Sequence, residues 1–174
     1  MTTSLLSSDC ADLHLVHRGK VRDMYSINGH EDKLLMVATD RISAYDVVMD
    51  DPIPGKGAIL TQMSLHWFDL LSDVVENHLI TADVNEYPPV CQQYRDQLEN
   101  RSMLVKKTKP LPVECIVRGY ISGSFWSAYK KSQIVSGFDL GAGLKESDKF
   151  TMPLFTPSTK ADIGDHDENI SYAE

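Results

Sequence analysis

Three cysteines are all that this 174-residue chain contains, and Cys10, Cys91 and Cys115 are far apart, odd in number and form no C-x-x-C pair. That spacing excludes a disulfide framework and a cysteine zinc site, and it fits a reducing cytoplasm. Positive charge is also scarce: 17 Lys and Arg against 25 Asp and Glu give a formal charge of −8. Counterion release needs a basic face, so a broad nucleic-acid footprint is excluded and any bound anion must be met locally. Nowhere do eighteen apolar residues run together, and the opening "MTTSLLSSDCADLHLV" has no basic segment leading into an apolar one. Neither membrane insertion nor export is implied. The six histidines show no H-x-x-x-H pair, which argues against a zinc hydrolase.

What is present is enough for a folded core. At this length, with 42% hydrophobic residues, the chain can form one ordinary domain or two small ones. "LHLVHR" (13–18), "VRDMYSI" (21–27) and "KLLMVAT" (33–39) are β-forming runs separated by turn residues, which predicts a three-strand antiparallel meander. "ILTQMSLHWFDLLSDVV" (59–75) repeats Leu60, Met63, Trp67, Leu70, Leu71 and Val74 at steps of three and four, the pattern of an amphipathic helix with one face on the core. Trp67, Phe68, Phe125 and Trp126 are expected in the core. "HLIT" (78–81), "MLVKK" (103–107) and "VECIVRGYI" (113–121) read as strands, the last two split by a stiff "TKPLP". "SGSFWSAYKKS" (122–132) predicts a short helix ending in lysines. The following stretch, from Gly137 to Asn169, has no periodicity and reads as one long loop. The final "DHDENISYAE" has the acidic first turn of a helix barely begun, which predicts a fragment.

Five places invite chemistry. In "HRGKVRD", Gly19 is flanked by Arg18, Lys20 and Arg22, and a glycine turn between strands with cations around it suits a polyphosphate. Strand alternation puts Lys20 and Arg22 on one face, although an exposed basic hairpin would look the same. "ATDRISAYD" presents Asp40, Arg41, Ser43 and Asp46 at the end of a strand, where ligand contacts or plain turn bonds both occur. "IPGKGA" lacks the Walker spacing and reads as a loop capping the long helix. In "VECIVRGYISGS", Arg118 interrupts an apolar strand, so it requires either a carboxylate such as Glu114 or a bound anion, and Ser122 to Ser124 open a helix four residues on. "DIGDHDEN" offers Asp165, Asp167 and Asn169 at EF-hand spacing but has Ile170 where glycine is needed, so calcium is rejected.

Taken in order, "HRGKVRDMY", "TDRISAYD", "IPGKGAILTQMS", "VECIVRGYISGS" and "FTPSTKADIGDHDENIS" resemble the N-terminal part of the SAICAR synthetase family, from about position 13 onward. The resemblance implies an α+β, two-lobed fold related to ATP-grasp and protein-kinase folds, with an antiparallel sheet in the small lobe and the C-terminal part missing. Residues 1–107 would form the small ATP-binding lobe, and 108–174 the incomplete start of a larger substrate lobe. Gly19, Lys20, Arg22 and Lys106 would bind ATP, with Lys20 and Arg22 acting electrostatically in catalysis and Glu114 meeting the ribose. Arg118 and Ser124 would hold the substrate ribonucleotide's phosphate, and Asp40, Ser43, Lys160 and Asp167 would line the substrate side.

The implied reaction joins L-aspartate to carboxyaminoimidazole ribonucleotide (CAIR) in purine biosynthesis, with ATP cleaved to ADP and phosphate through a carboxyl phosphate. ATP and Mg2+ would be required, with the magnesium ligands outside this chain. A cytoplasmic monomer or homodimer with small-molecule substrates would follow, bound to no nucleic acid or membrane. A chain ending at Glu174 would be inactive alone. A kinase-like phosphotransferase is the alternative enzyme class, although the sequence has no H-R-D-x-x-x-x-N loop or D-F-G. A non-catalytic nucleotide-binding module is the other alternative.

Overall fold

His14–Arg18 (β1), Arg22–Ser26 (β2) and Lys33–Ala38 (β3) form the expected antiparallel meander. The computed structural model describes residues 4–44, 47–159 and 170. After β3 come the two-residue strands Ser43–Ala44 (β4) and Val47–Val48 (β5), which pair with each other. The long helix Lys56–Leu70 (α1) follows, then Leu79–Thr81 (β6), a 3₁₀ turn at Val84–Glu86, and the short helices Pro89–Gln92 (α2) and Arg95–Leu98 (α3). Ser102–Lys106 (β7) completes a five-stranded antiparallel sheet in the order β1-β2-β3-β7-β6. The meander is therefore the larger part of a wider sheet, because β7 inserts between β3 and β6.

Alternation along the strands sends Tyr25, Leu35, Val37 and Leu104 to one face of that sheet, where they pack with Val84, Tyr87, Cys91 and Leu98. This is the core of the first of two compact units, Met1–Thr108 and Lys109–Glu174. The opposite face carries Met36 and Met103 toward α1.

Helix α1 differs from its sequence expectation in both bounds and facing. It begins at Lys56 and ends at Leu70, and its buried residues are Gly57 and Thr61. Leu60, Met63, Trp67 and Leu70 are exposed, Trp67 by 52%. The cause is local: Gly57 lies so close to the sheet that a Cβ there would stand 2.3 Å from the Ala38 carbonyl oxygen. The small-residue side of the helix thus docks on the sheet, and the apolar stripe is left for something else. Of the four aromatics expected in the core, Phe125 is fully buried, Phe68 and Trp126 are half-buried, and Trp67 is not buried.

The second unit contains Val113–Glu114 (β8), Val117–Tyr120 (β9), Gly123–Tyr129 (α4), Ile134–Val135 (β10), Phe138–Asp139 (β11), Lys149–Phe155 (β12) and Ser158–Thr159 (β13). β12 pairs with β9, β13 with β8, and β10 with β11. The region expected to be one long loop is therefore threaded with strands. Ile121, Phe125, Tyr129 and Val135 make its core.

Candidate functional site

The turn between β1 and β2 is built from below. Asp23 is completely buried, and its carboxylate accepts bonds from the Ser8 N–H (2.8 Å), the Ser8 hydroxyl (2.8 Å), Arg18 Nε (3.1 Å) and Arg41 Nη2 (2.8 Å). Burial alone would raise its pKa, but the bonds from Arg41 and Ser8 outweigh burial and hold the carboxyl below its ordinary value. Of the three cations around Gly19, Arg18 is therefore structural, and it also donates to the Ser8 carbonyl at 3.0 Å. Arg41 is nearly buried and donates to the carbonyls of Gly19 (2.8 Å), Lys20 (3.2 Å) and Leu6. Lys20 and Arg22 are exposed on the rim of the turn.

Beside the turn, α1 and the sheet enclose a cleft of about 480 Å³ whose lining includes Arg22, Lys56 and Arg101 as cations, with Met36, Met103 and Trp67 as apolar surface. The exposed stripe of α1 supplies that wall through Leu60, Met63 and Trp67. A second hollow of about 580 Å³ shares Trp67 and Phe68 and reaches His78 and Lys106. Phe68 and His78 meet edge to face, with centroids 5.5 Å apart. Burial, with Arg22 adding to it, lowers the His78 pKa, so this imidazole is neutral at physiological pH, and among the described residues its buried Nε2 has no hydrogen-bond partner.

Asp40 is the hinge between the strand and the helix. Its Oδ1 accepts the Gly57 N–H at 2.9 Å and its Oδ2 the Leu5 N–H at 2.9 Å. The residue before the helix, Gly55, has no side chain to cap with, so a carboxylate from an earlier loop caps α1 instead. Arg101 Nη1 stands 3.1 Å from Oδ2 without hydrogen-bond alignment, so that contact is chiefly ionic. Burial would raise the Asp40 pKa, and the Leu5 and Gly57 bonds with Arg101 bring it below its ordinary value. Asp40 is fully buried, and its carboxylate serves the protein's own backbone and Arg101. Ser43 sits half-buried on β4.

In the second unit, Arg118 on β9 is half-buried. Its guanidinium carbon lies 5.3 Å from the centre of the Phe125 ring, and Nε donates to Thr156 Oγ1 at 3.0 Å. Among the described residues no carboxylate pairs with it, and Glu114 is exposed on β8. Ser124 is exposed in the first turn of α4. Asp46, Lys160, Asp165, His166, Asp167 and Asn169 lie outside the described residues.

The sequence pattern of SAICAR synthetase matches residues 15–174. The chain belongs to the SAICAR synthetase family. It is 69% identical over 172 residues to a phosphoribosylaminoimidazole-succinocarboxamide synthase of Desulfotalea psychrophila, covering 99% of this chain and 58% of that protein. The enzyme of the same name from Geobacter sulfurreducens is 58% identical, with 99% and 57% covered. The solved SAICAR-synthase from Saccharomyces cerevisiae complexed with SAICAR superposes with a TM-score of 0.78 at 47% identity, covering 99% of this chain and 56% of that one. A Type-2 SAICAR synthetase in complex with ADP superposes at 0.64 with 25% identity, covering 90% and 55%. This SAICAR synthetase family chain thus spans a little over half the length of the curated relatives it matches.

Family membership accounts for the order of the five sequence blocks, and the structure adds a residue they did not single out. Arg41 stands in the "TDRIS" block as one polar loop residue among several, yet it reaches back to the Gly19 turn. A buried arginine must have acceptors, and that signal was legible for Arg118 but hidden at Arg41 by turn-forming neighbours.

Proposed function

We propose that this chain contributes the nucleotide-binding part, and the first portion of the substrate-binding part, of a phosphoribosylaminoimidazole-succinocarboxamide synthase acting in the cytoplasm. The reaction joins L-aspartate to CAIR and cleaves ATP to ADP and phosphate. Support comes from the 69% identity to a curated synthase and from the ADP and SAICAR held by the solved relatives. The observation that carries the reading is the basic turn at Gly19, braced from within and standing beside an apolar cleft that has cations in its lining.

The chemistry follows from the weakness of a carboxylate as an electrophile. A CAIR carboxylate oxygen attacks the terminal phosphorus of ATP, and ADP departs. The aspartate nitrogen then attacks the resulting acyl carbon, phosphate leaves, and the nitrogen loses a proton. Little covalent work falls to the protein, so positioning and cations opposite developing charge are the main means. Lys20 and Arg22 are assigned to the phosphates, with the Gly19 turn beneath them and Lys106 along the base. Glu114 is assigned to the ribose, and Arg118 with Ser124 to the ribonucleotide phosphate. Asp40, Ser43, Lys160 and Asp167 are assigned to the substrate side, Asp40 by holding the loop that carries Ser43.

Such chemistry calls for Mg2+, but the described residues do not fit a magnesium site. Among them no group of three or more His, Cys, Asp or Glu side chains could hold a metal ion. Asp23 and Asp40 already spend their carboxylates on the protein, so no step is assigned to the metal here.

Calorimetric titration of the chain with ATP, ADP and AMP tests the reading. ATP should bind more tightly than AMP, more weakly at higher salt, and about tenfold or more weakly when Lys20 and Arg22 are both changed to Ala. Equal affinity for AMP and ATP, unaffected by the double substitution, would remove the turn from the nucleotide site.

A further inference from the structure

The backbone of the 18–22 turn is more ordered than a hairpin needs, and its order has a direction. Every carbonyl from Gly19 to Arg22 already has a donor. Gly19 O and Lys20 O accept from Arg41, Val21 O accepts the Thr39 N–H (3.0 Å) and hydroxyl (2.8 Å), and Arg22 O accepts the Gly19 N–H at 2.8 Å. No peptide bond among the described residues is cis, so each N–H points opposite to the carbonyl of the preceding residue. With the Gly19 and Lys20 carbonyls drawn onto one guanidinium, the Lys20 and Val21 N–H groups point away from it.

We propose that Arg41 is a positioning residue for the phosphate seat: by gathering the Gly19 and Lys20 carbonyls it turns the Lys20 and Val21 N–H groups toward the incoming polyphosphate, between the Lys20 and Arg22 side chains. This rests on the reading of the turn as the ATP-phosphate site. The buried guanidinium is suited to the task because its planar fork has five fixed donors. Arg41 uses Nε, Nη1 and Nη2 on three carbonyls and the Asp23 carboxylate at once. A lysine ammonium keeps the charge but is a single point on a flexible stem and cannot reproduce that spread. Asp23 completes the device by balancing the buried cation, and Leu6 O ties the N-terminal segment to it. Arg41 itself touches no phosphate. It acts through the peptide groups, much as oriented amides do in anion-binding concavities.

The test uses inorganic tripolyphosphate, which isolates the phosphate seat from base and ribose, with backbone amides followed by NMR in the full 174-residue chain. In the unaltered chain, tripolyphosphate should move the Lys20 and Val21 amide resonances more than those of β3. If it binds but leaves those two amides where they were, the proposal is overturned, and this result needs no variant. If it does not bind at all, the phosphate reading of the turn fails, and the positioning role falls with it. Arg41→Lys should raise hydrogen exchange at the Gly19 amide, which is bonded across the turn to Arg22 O, about tenfold and weaken tripolyphosphate by a similar factor. Exchange in β3 should stay nearly unchanged. Uniform loosening of β3 and the turn together would show Arg41 to be a general stability residue and overturn the proposal, as would an unchanged turn.

Discussion

Gly57 and Ala38 touch backbone to backbone: a methyl group on Gly57 would lie 2.3 Å from the Ala38 oxygen and 3.0 Å from the Thr39 oxygen. Both neighbours are main-chain atoms of the sheet end, which cannot rotate aside as a side chain could. Gly57→Ala should therefore cost about 1–3 kcal/mol, the range of overpacked sites. Urea unfolding would show it as a lowered midpoint with unchanged slope. A variant as stable as the parent would mean that α1 can lift off the sheet.

Acid should find a weak point at His78. Its folded pKa is lowered, first by burial and then by Arg22, below an unfolded value near 6.5. A lowered folded pKa means that the unfolded chain takes up the proton first. The contribution is thus present above about pH 6.5 and is lost as pH falls through the folded value. His78→Phe keeps an aromatic ring against Phe68 and should flatten the decline in stability as pH falls below about 6.5. Parallel stability curves for parent and variant below that pH would contradict this.

Among the described residues Arg118 has two neutral companions, a ring face and a hydroxyl, which orient its guanidinium without neutralising it. Arg118→Lys loses the flat stacking surface and the Nε donor while keeping the charge. Binding of ribose 5-phosphate, used as a fragment of the ribonucleotide, should weaken about tenfold, with ATP affinity little changed. A larger loss for ATP would move Arg118 to the other ligand.

Thiol chemistry should sort the three cysteines cleanly. Cys10 and Cys91 are buried, and burial pushes their thiols up to about 12 and about 11, with Cys91 adding to the effect at Cys10. Cys115 is exposed. An aromatic disulfide reagent at pH 8 should label one thiol per chain quickly and the other two only on unfolding. Fast reaction of all three would show that the sheet's core opens readily.

Much of the first unit could be read in advance because β1, β2, β3 and β7 have five or six residues each and are bounded by turn residues. β1, β2, β3, β6 and β7 fall where β-forming runs stand in the sequence. Of the later strands, β8 and β9 fall within the run at 113–121, whereas β10, β11 and β13 were hidden because they have two residues each, too few for any alternation to register. β12 is longer but contains Pro153, which ordinarily argues against a strand, and its pairing with β9 shifts register between Lys149 and Leu154. The facing of α1 was illegible for a different reason. Periodicity marks which residues share a side, but only the Gly57 contact decides which side meets the sheet. At the site, the cations of the turn were visible in the sequence, but the division of labour among them was not. It depends on Asp23 being buried beneath Arg18 and Arg41, a property of tertiary packing.

The few residues ahead of β1 do more than lead into it. The Leu5 amide satisfies Asp40, the Leu6 carbonyl satisfies Arg41, and Ser8 satisfies Asp23 and Arg18. Trimming the chain back to the first strand would leave three buried ionic side chains short of partners without touching the sheet or the helix. A shortened version designed from strand boundaries alone would thus keep every regular element and still lose the latch that binds them together.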